Sequence, residues 1–413
     1  MVLSPSRRVL TSAALGLMAG LLLTLPAGAD TLTPTRFDDP QPAKKCKPTD
    51  CSLREAIRTA NNLNGRDTVE LEKGTYKLEI PPANNALNAS GQLFSVDKLL
   101  LRGAGPRETK IDAKGIDRVI AFGSKSVVQN LTLKGGNASA SPYHDSRGGA
   151  IIDLSDKLAL KNVVLRNNTA QFGGAISAVG TELTIKESTI ADNSATEGGG
   201  IHLPSRNGPT PVIYLRSSTV SGNFAVKGGG IAVDGSAVFG PTVPILQGFN
   251  STVAGNFASG DAGGVLSDNG ASVIFSNSTI AYNMADQDSF GGGAGGGVRQ
   301  FGGAFFNLYD SIVASNTVGS SGTDAACAGN FSGDGNVLTA AAGCGSFSAG
   351  TNQSVGSALI DPLADNGGPT ETIKLLATSP ALGYATDCPS TDQRGVKRPE
   401  TDCDSGSFER KGP

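Results

Sequence analysis

The sequence contains few of the side chains on which large globular cores and nucleic-acid interfaces depend. Its 413 residues include no tryptophan, three methionines and two histidines, and aromatic residues make up only 5% of the chain. Hydrophobic residues reach 38%, which favours one elongated domain with a narrow interior over several globular ones. The formal charge is −3 and Lys and Arg are not concentrated anywhere, so the composition argues against nucleic acid as a partner.

Amphipathic helical periodicity is also missing from most of the chain, and a repeated unit takes its place. The unit is a short apolar strand, then Ser-Thr followed by Ile or Val, then Asn, an Ala two residues later, a Gly pair and an aliphatic residue. The stretch Leu183–Leu203 shows this unit in full, and further copies lie on both sides of it. A repeat of this size indicates stacked supersecondary units.

When the copies are aligned on their Asn, four columns stay in phase although the copies differ in length. The Asn column consists of Asn168, Asn193, Asn223, Asn256, Asn283 and Asn316. Three residues earlier lie Leu165, Ile190, Val220, Val253, Ile280 and Val313. Two residues after the Asn lie Ala170, Ala195, Ala225, Ala258, Ala285 and Val318, and after the Gly pair lie Ile176, Ile201, Ile231, Leu266 and Val298. Fixed columns with variable spacing indicate constant strands whose turns accept the insertions.

This pattern predicts an all-β fold, a parallel β-helix in which each copy forms one turn about 4.8 Å above the last. Equivalent side chains then stack, so the aliphatic columns fill the interior and the Asn column forms a hydrogen-bonded ladder. We expect these Asn residues to adopt the left-handed turn conformation, and the Gly pairs to permit sharp corners. A β-propeller is the alternative fold, but its blades need about 40 residues each.

The N-terminal segment has the pattern of a secretory signal peptide. Arg7 and Arg8 precede an apolar run over Val9–Leu25, and small residues at 27–29 offer a cleavage site. We therefore expect residues 1–29 to be removed and the protein to be secreted, displayed on the cell surface or retained in the periplasm. No later apolar stretch is long enough for a membrane span, so none is expected in the mature chain.

Six cysteines form three close pairs along the sequence, which are Cys46/Cys51, Cys327/Cys344 and Cys388/Cys403. In an exported chain an even number of cysteines indicates disulfides, and although six cysteines allow 15 connectivities, their clustering favours these neighbours. A metal site is the alternative, weakened by the lack of Cys-x-x-Cys and by the presence of only His144 and His202. We therefore expect neither a metal ion nor a cofactor.

A short helix is predicted directly after Cys51. Ser52 is followed three residues later by Glu55, which forms a capping box, and the apolar residues of the next two turns share one face. The open end of a β-helix exposes an unpaired strand edge, and such a helix would cover it as a lid. We interpret Arg54 and Glu55 as structural residues of this lid.

Two segments resemble a known family. Cys51–Ala56, with a following strand that ends in Gly-Thr-Tyr, resembles the CSLREA-motif domain of bacterial secreted repeat proteins. Asp361–Thr370, Asp392–Gly395 and Cys403–Glu409 resemble the choice-of-anchor Q domain. The resemblance implies a right-handed, pectin-lyase-like β-helix. With the repeats, it predicts an extended segment at 30–45, a cap and first turns at 46–130, repeat turns at 131–320, and last turns with a cap at 321–413.

Carboxylates on one face of the stack would be needed for polysaccharide hydrolysis. The column after the Gly-pair aliphatic holds Ile152, Ser177, His202, Ala232, Ser267 and Arg299, so His202 has no acid beside it there. Asp153 and Asp268 are expected to share a column several turns apart, whereas Asp192, Asp234 and Asp261 come from turns and could approach one another. His202 and Asp234 are the candidate catalytic residues. The structural alternative is that His202 is exposed and the carboxylates are solvated.

Other polar and aromatic groups have structural interpretations. Acids around the third cysteine pair could hold a hard cation, but the interleaved Arg394, Lys397 and Arg398 favour a self-neutralised loop. Phe172, Phe224 and Phe257 lie near turns and are interpreted as a stack in the interior rather than as sugar-stacking residues.

Two functional hypotheses remain. The sequence favours a monomeric, non-catalytic protein that binds polysaccharide, matrix or a host surface along its flank, because its Gly-Gly-x-Ile and Asn columns resemble those of bacterial outer-membrane adhesins. The alternative is an extracellular polysaccharide lyase or glycoside hydrolase, which rests on the fold alone.

Overall fold

The computed structural model describes residues 29–41, 45–83, 88–140, 145–236, 238, 240–288, 292–319, 323–345 and 351–411. Across these residues the chain winds into a parallel β-solenoid of about eight turns. The all-β parallel β-helix with one short N-terminal helix is therefore confirmed. The predicted signal peptide lies outside the described residues except for Ala29, and so does His144.

The largest sheet, sheet 1, is bent, because most turns of the solenoid contribute two strands to it, one on each side of a corner. We call the side containing Glu182–Lys186 the first wing and the side containing Thr189–Ala191 the second wing. The 19 strands of sheet 1 are Thr31–Leu32, Arg66–Glu70, Gly74–Lys77, Lys98–Arg102, Thr109–Asp112, Ser126–Lys134, Lys157–Arg166, Glu182–Lys186, Thr189–Ala191, Val212–Arg216, Thr219–Ser221, Ile245–Phe249, Thr252–Ala254, Ser272–Ser276, Thr279–Ala281, Phe305–Tyr309, Ile312–Ala314, Val337–Thr339 and Gln353–Val355.

Two further stacks of strands complete each turn. Sheet 2 has nine strands, which are Leu93–Ser95, Ile120–Phe122, Ile151–Asp153, Ile176–Ala178, Ile201–Pro204, Ile231–Asp234, Val265–Asp268, Val298–Gln300 and Cys327–Ala328. Sheet 3 has five strands, which are Phe224–Ala225, Phe257–Ala258, Met284–Ala285, Thr317–Val318 and Thr323–Asp324. A separate hairpin pairs Ile360–Ala364 with Thr372–Leu375. The helices are the α-helix Leu53–Ala60 and two 3₁₀ turns, Ala138–Ala140 and Ala341–Cys344.

The predicted aliphatic column forms a continuous stack inside the solenoid. The strand register pairs Leu165 with Ile190, and the stack continues through Val220, Val253, Ile280 and Val313. All six side chains are buried in one apolar cluster that runs along the solenoid. Each turn therefore places its apolar side chains on those of the turn below, which is the source of the hydrophobic stabilisation.

The aliphatic column after the Gly pair is shifted by one residue from its prediction in one turn. Val265, rather than Leu266, pairs with Ile231 and Val298 in the core, while Leu266 lies opposite Ala232 on the outer face. The shift arises because the first glycine of the other turns is replaced here by Ala262, which adopts the left-handed conformation with φ 58°. Asp268 consequently falls in the column of Asp234.

The Asn column forms a ladder that links consecutive turns. From Asn168 to Asn283, each side-chain amide donates to Oδ1 of the Asn one turn on at 2.9 Å, and the same oxygen accepts the backbone N–H at 3.0 Å. The expectation from the sequence that this Asn adopts the left-handed conformation was wrong. The left-handed residue is the one before it, for example Asp192 or Tyr282. The Asn φ must stay negative so that its side chain points along the stack.

A second ladder runs through the serines of the Ser-Thr motif. The backbone N–H of Ser188 donates to Oγ of Ser218, and the pattern continues through Ser251, Ser278 and Ser311. These hydroxyls are buried, so the ladder satisfies the N–H groups of the corner between the two wings of sheet 1.

The N-terminal helix covers the first turn, as predicted. Ser52 and Glu55 form the capping box, and the helix buries its apolar face. Arg54 is fully buried, pairs with Asp39 at 2.8 Å and donates to the carbonyl of Gly91 at 2.7 Å. The lid is thus fixed by a buried ion pair as well as by packing. The three predicted disulfides are also confirmed, joining Cys46–Cys51, Cys327–Cys344 and Cys388–Cys403.

Residues 358–409 fold back along the second wing of sheet 1. Gln393 donates to the hydroxyl of Thr219 at 2.9 Å and accepts from that of Thr252 at 2.7 Å. Within this segment, Asp392 pairs with Arg394 and Glu409 pairs with Arg398. These contacts agree with a self-neutralised loop, because N–H donors already surround the carboxylates.

Candidate functional site

The polar side chains of greatest chemical interest meet at the corner where the segment before each left-handed glycine leads into sheet 2. Phe172, Glu197 and Lys227 pair in register in successive turns, and each precedes a left-handed glycine. The glycine turns the chain sharply enough that the preceding side chain lies over the outer face of sheet 2. The Phe172 ring consequently lies 5.2 Å from the ring of His202, which is on that face.

Glu197, His202 and Asp234 form a compact cluster in this corner. Oε1 of Glu197 lies 3.8 Å from Nε2 of His202. One oxygen or nitrogen atom from each of the three residues lies within 4.8 Å of those of the other two. His202 is fully buried and Asp234 is only 7% exposed, whereas Glu197 is partly open to solvent.

The loop after Asp234 fixes the orientation of its carboxylate. Oδ1 of Asp234 accepts the backbone N–H of Ser236 at 2.8 Å and the side-chain amide of Asn269 at 3.0 Å. Asp268 lies beside Asp234 on the next strand and is 8% exposed. Its Oδ1 is buried and has no hydrogen-bond partner among the described residues. Two carboxylates and one imidazole thus converge in this corner, and Asp268 lies on the neighbouring strand.

Electrostatics hold two of these groups in unusual states. Burial and the negative charges of Asp234 and Asp268 together raise the pKa of Glu197 to about 7, and the positive charge of Lys227 offsets them only in part. Burial lowers the pKa of His202 to about 3, and the positive charge of Arg147 acts in the same direction. His202 is therefore neutral at physiological pH, and its contact with Glu197 is not an ion pair. A neutral imidazole beside a carboxylate can bind a cation through its nitrogen lone pair.

The two catalytic candidates from the sequence, His202 and Asp234, come together in this corner. The expectation that His202 is exposed was wrong, because Phe172 and Glu197 cover it. Asp192 and Asp261 do not join the cluster, since Asp192 lines an open groove of about 850 Å³ beside the second wing and Asp261 pairs with Arg299. Asp153 and Asp268 do not share a column either, because Asp153 is in register with Ala178 whereas Asp268 is in register with Asp234.

A second feature is an apolar surface on the outer face of the first wing. Four successive strands present outward-facing aromatic or aliphatic side chains here, and we call this set the aromatic platform. It consists of Val212, Tyr214, Ile245, Phe249, Ile274, Phe305 and Tyr309. Phe305 is 65% exposed, and Tyr309 and Phe249 are 39% and 38% exposed. The guanidinium of Arg216 lies 5.3 Å from the centre of the Tyr214 ring.

The three phenylalanines near turns are not interior, in contrast to the sequence interpretation. Phe224 and Phe257 do stack in register, but on the outside of sheet 3, where Phe224 is 39% exposed. Phe172 is half-buried against His202. The first three strands of sheet 3 bury their alanines, Ala225, Ala258 and Ala285, instead.

The stacked parallel strands define the class of the protein as a parallel β-solenoid. No family model matches the chain, no curated protein is similar to it in sequence, and no solved structure matches it. Among the described residues, none of the helices is long and apolar enough to cross a bilayer.

Proposed function

We propose that the protein is a secreted or cell-surface β-helix that binds polysaccharide along the aromatic platform without cleaving it. The observation that carries this proposal is the exposure of Phe249, Phe305 and Tyr309 on one flat face. Large apolar side chains that are exposed together on neighbouring strands often mark a binding surface. The assignment to the CSLREA and choice-of-anchor Q type rests on the residues quoted above, and it favours the same extracellular setting.

The chemistry of the platform suits sugar rings. A pyranose has an apolar C–H face and a rim of hydroxyls, so it stacks on aromatic faces while its rim stays hydrated. Tyr214 and Tyr309 add phenol hydroxyls, and Arg216 and Gln247 provide polar side chains between the rings. The four strands span about 14 Å at 4.8 Å per strand, so a repeating polymer can contact several turns at once.

The burial of the corner cluster argues against cleavage of polysaccharide as the main activity. Glycoside hydrolysis requires two carboxyl groups that flank the scissile bond. Here Asp234 is 7% exposed and His202 is fully buried, so a chain of sugar rings has little access to them. The platform is also on a different sheet, and a polymer bound there is not directed into the corner.

Binding to immobilised polysaccharides, including pectate and alginate, tests this proposal. Phe249→Ala and Phe305→Ala should each weaken binding about tenfold, because each removes an exposed ring from the contact. Phe224→Ala is the matched control, since its ring has nearly the same exposure but lies on sheet 3. Equal binding by all three variants and the unmodified protein would contradict the proposal.

A polysaccharide lyase or hydrolase remains the second candidate, favoured by the convergence of Glu197 and Asp234 on one imidazole. The same polysaccharides should be followed for unsaturated uronides and new reducing ends. Turnover that disappears in Glu197→Gln and Asp234→Asn, but persists in Asp192→Asn, would replace the binding proposal with an enzymatic one.

A further inference from the structure

We propose that Glu197, His202 and Asp234 bind a divalent transition-metal ion of the Zn²⁺ or Mn²⁺ type. This site is separate from the platform, because it lies on the outer face of sheet 2 rather than on sheet 1. The proposal therefore stands or falls independently of polysaccharide binding.

The geometry fits one shared ion. Zinc–nitrogen and zinc–oxygen bonds measure about 2.0–2.2 Å, so two ligand atoms on one ion lie roughly 3–4.4 Å apart. The separation between Oε1 of Glu197 and Nε2 of His202 is 3.8 Å, and all three groups lie within 4.8 Å of one another. Small rotations of the Glu197 side chain complete the approach, whereas His202 and Asp234 are already held by a strand.

The ligand types select the class of metal. Calcium and magnesium bind almost entirely through oxygen, whereas imidazole nitrogen suits zinc and other first-row transition metals. One imidazole with two carboxylates gives a mixed nitrogen and oxygen set. All six cysteines are in disulfides, so no thiolate competes for the ion.

Two neighbouring groups point to a ligand independently of the three residues. Oδ1 of Asp268 and Oγ of Ser177 are buried without a hydrogen-bond partner in the part of the chain that the structure describes. Buried polar atoms are rarely left in this state, because each loses its hydrogen bonds to water without gaining a partner. Asp268 adjoins Asp234, and Ser177 adjoins His202 on the preceding strand. A cation held by Glu197, His202 and Asp234 would offset the repulsion among the carboxylates of this corner.

Isothermal titration of untagged, chelator-treated protein tests the site. We expect one Zn²⁺ or Mn²⁺ per chain, with Ca²⁺ and Mg²⁺ at least tenfold weaker. Co²⁺ should give a visible ligand-field absorption band when it occupies the same site, which reports on nitrogen and oxygen ligation directly.

Glu197→Gln is the main variant, because its side chain is partly exposed and the change keeps its shape. It should weaken Zn²⁺ binding at least tenfold and alter the Co²⁺ band, and Asp234→Asn should do the same. Asp192→Asn, an exposed carboxylate in the other groove, is the control and should bind as the unmodified protein does. Absence of stoichiometric binding, or equal binding by Glu197→Gln and the control, would overturn the proposal.

Discussion

Asn223 donates two hydrogen bonds to a single atom, Oδ1 of Asn256, which lies one turn further along the solenoid. Its side-chain amide bonds this oxygen at 2.9 Å and its backbone N–H bonds it at 3.0 Å. Both residues are fully buried, so no water can substitute for the acceptor. The same arrangement repeats along the ladder and makes each turn depend on the Asn of the next.

Asn256→Ala should therefore destabilise the protein strongly. The change leaves two buried donors of Asn223 unpaired, which we expect to lower the free energy of unfolding by about 3 kcal/mol. Urea unfolding followed by circular dichroism measures this value. Asn207→Ala, at an exposed position, is the control and should stay within about 0.5 kcal/mol. A similar small loss for both variants would mean that the ladder contributes little.

Gly173→Ala tests the tight corner that places Phe172 over sheet 2. A Cβ atom at this position would approach the carbonyl oxygen of Ile176 to 2.0 Å, and φ is 67°. Gly255 has nearly the same φ, 62°, but open space where its Cβ would lie. Gly255→Ala should cost about 1 kcal/mol from backbone strain alone, and Gly173→Ala at least twice as much. Thermal unfolding of both variants gives the comparison, and equal losses would show that the corner adapts.

Asp153 should make stability depend on pH. Burial raises its pKa to about 6 in the folded protein, compared with about 3.9 in the unfolded chain. Between these values the folded state binds the additional proton, so the free energy of unfolding falls as pH rises from about 4 to 6. The full loss, on the order of 2–3 kcal/mol, persists at higher pH.

Asp153→Asn removes this titration but keeps an oxygen for the two bonds from Ser155. The variant should be more stable than the unmodified protein at pH 7.5, and the difference should shrink below about pH 4. Urea unfolding across this pH range measures the effect. Asp156→Asn, which removes an exposed carboxylate, is the control, and the stability of this variant should follow the pH profile of the unmodified protein.

Arg54→Met tests how the lid is held. The change keeps most of the side-chain volume but leaves Asp39 as a buried charge without its guanidinium, at a cost of about 3–5 kcal/mol. Lys73→Met breaks an exposed pair with Glu108 at the same 2.8 Å distance and should cost at most about 1 kcal/mol. Hydrogen exchange should show faster opening of Leu53–Ala60 and the first turns in Arg54→Met alone.

Sequence periodicity predicted the interior of this fold well, because stacking requires the same residue type at the same place in each turn. The column from Ile190 to Ile280 lies where its spacing indicated. The one-residue shift at Leu266 was missed because a left-handed alanine replaces the expected glycine. A local backbone conformation of this kind leaves no trace in a hydrophobic pattern.

The candidate site was only half predictable. His202 was identified in a strand column and Asp234 was assigned to a turn, although it ends the strand Ile231–Asp234, and Glu197 was missed. Its signal was available, since it precedes the left-handed Gly198 in the same position as Phe172 and Lys227. Knowing which face that glycine turns toward requires the corner geometry, and the columns of a linear alignment do not contain it.

The segment that folds back along the second wing changes how the whole solenoid comes apart. In a plain array of repeats each turn touches only its neighbours, so turns can peel off one at a time from an end. Here Gln393 joins the turns of Thr219 and Thr252, and Ser407 joins those of Thr252 and Thr279. When any one of these turns unfolds, residues 358–409 also lose part of their contacts with the other turns. The folded-back segment thereby ties together turns in the middle of the stack, and we expect these turns to open together rather than to fray one at a time.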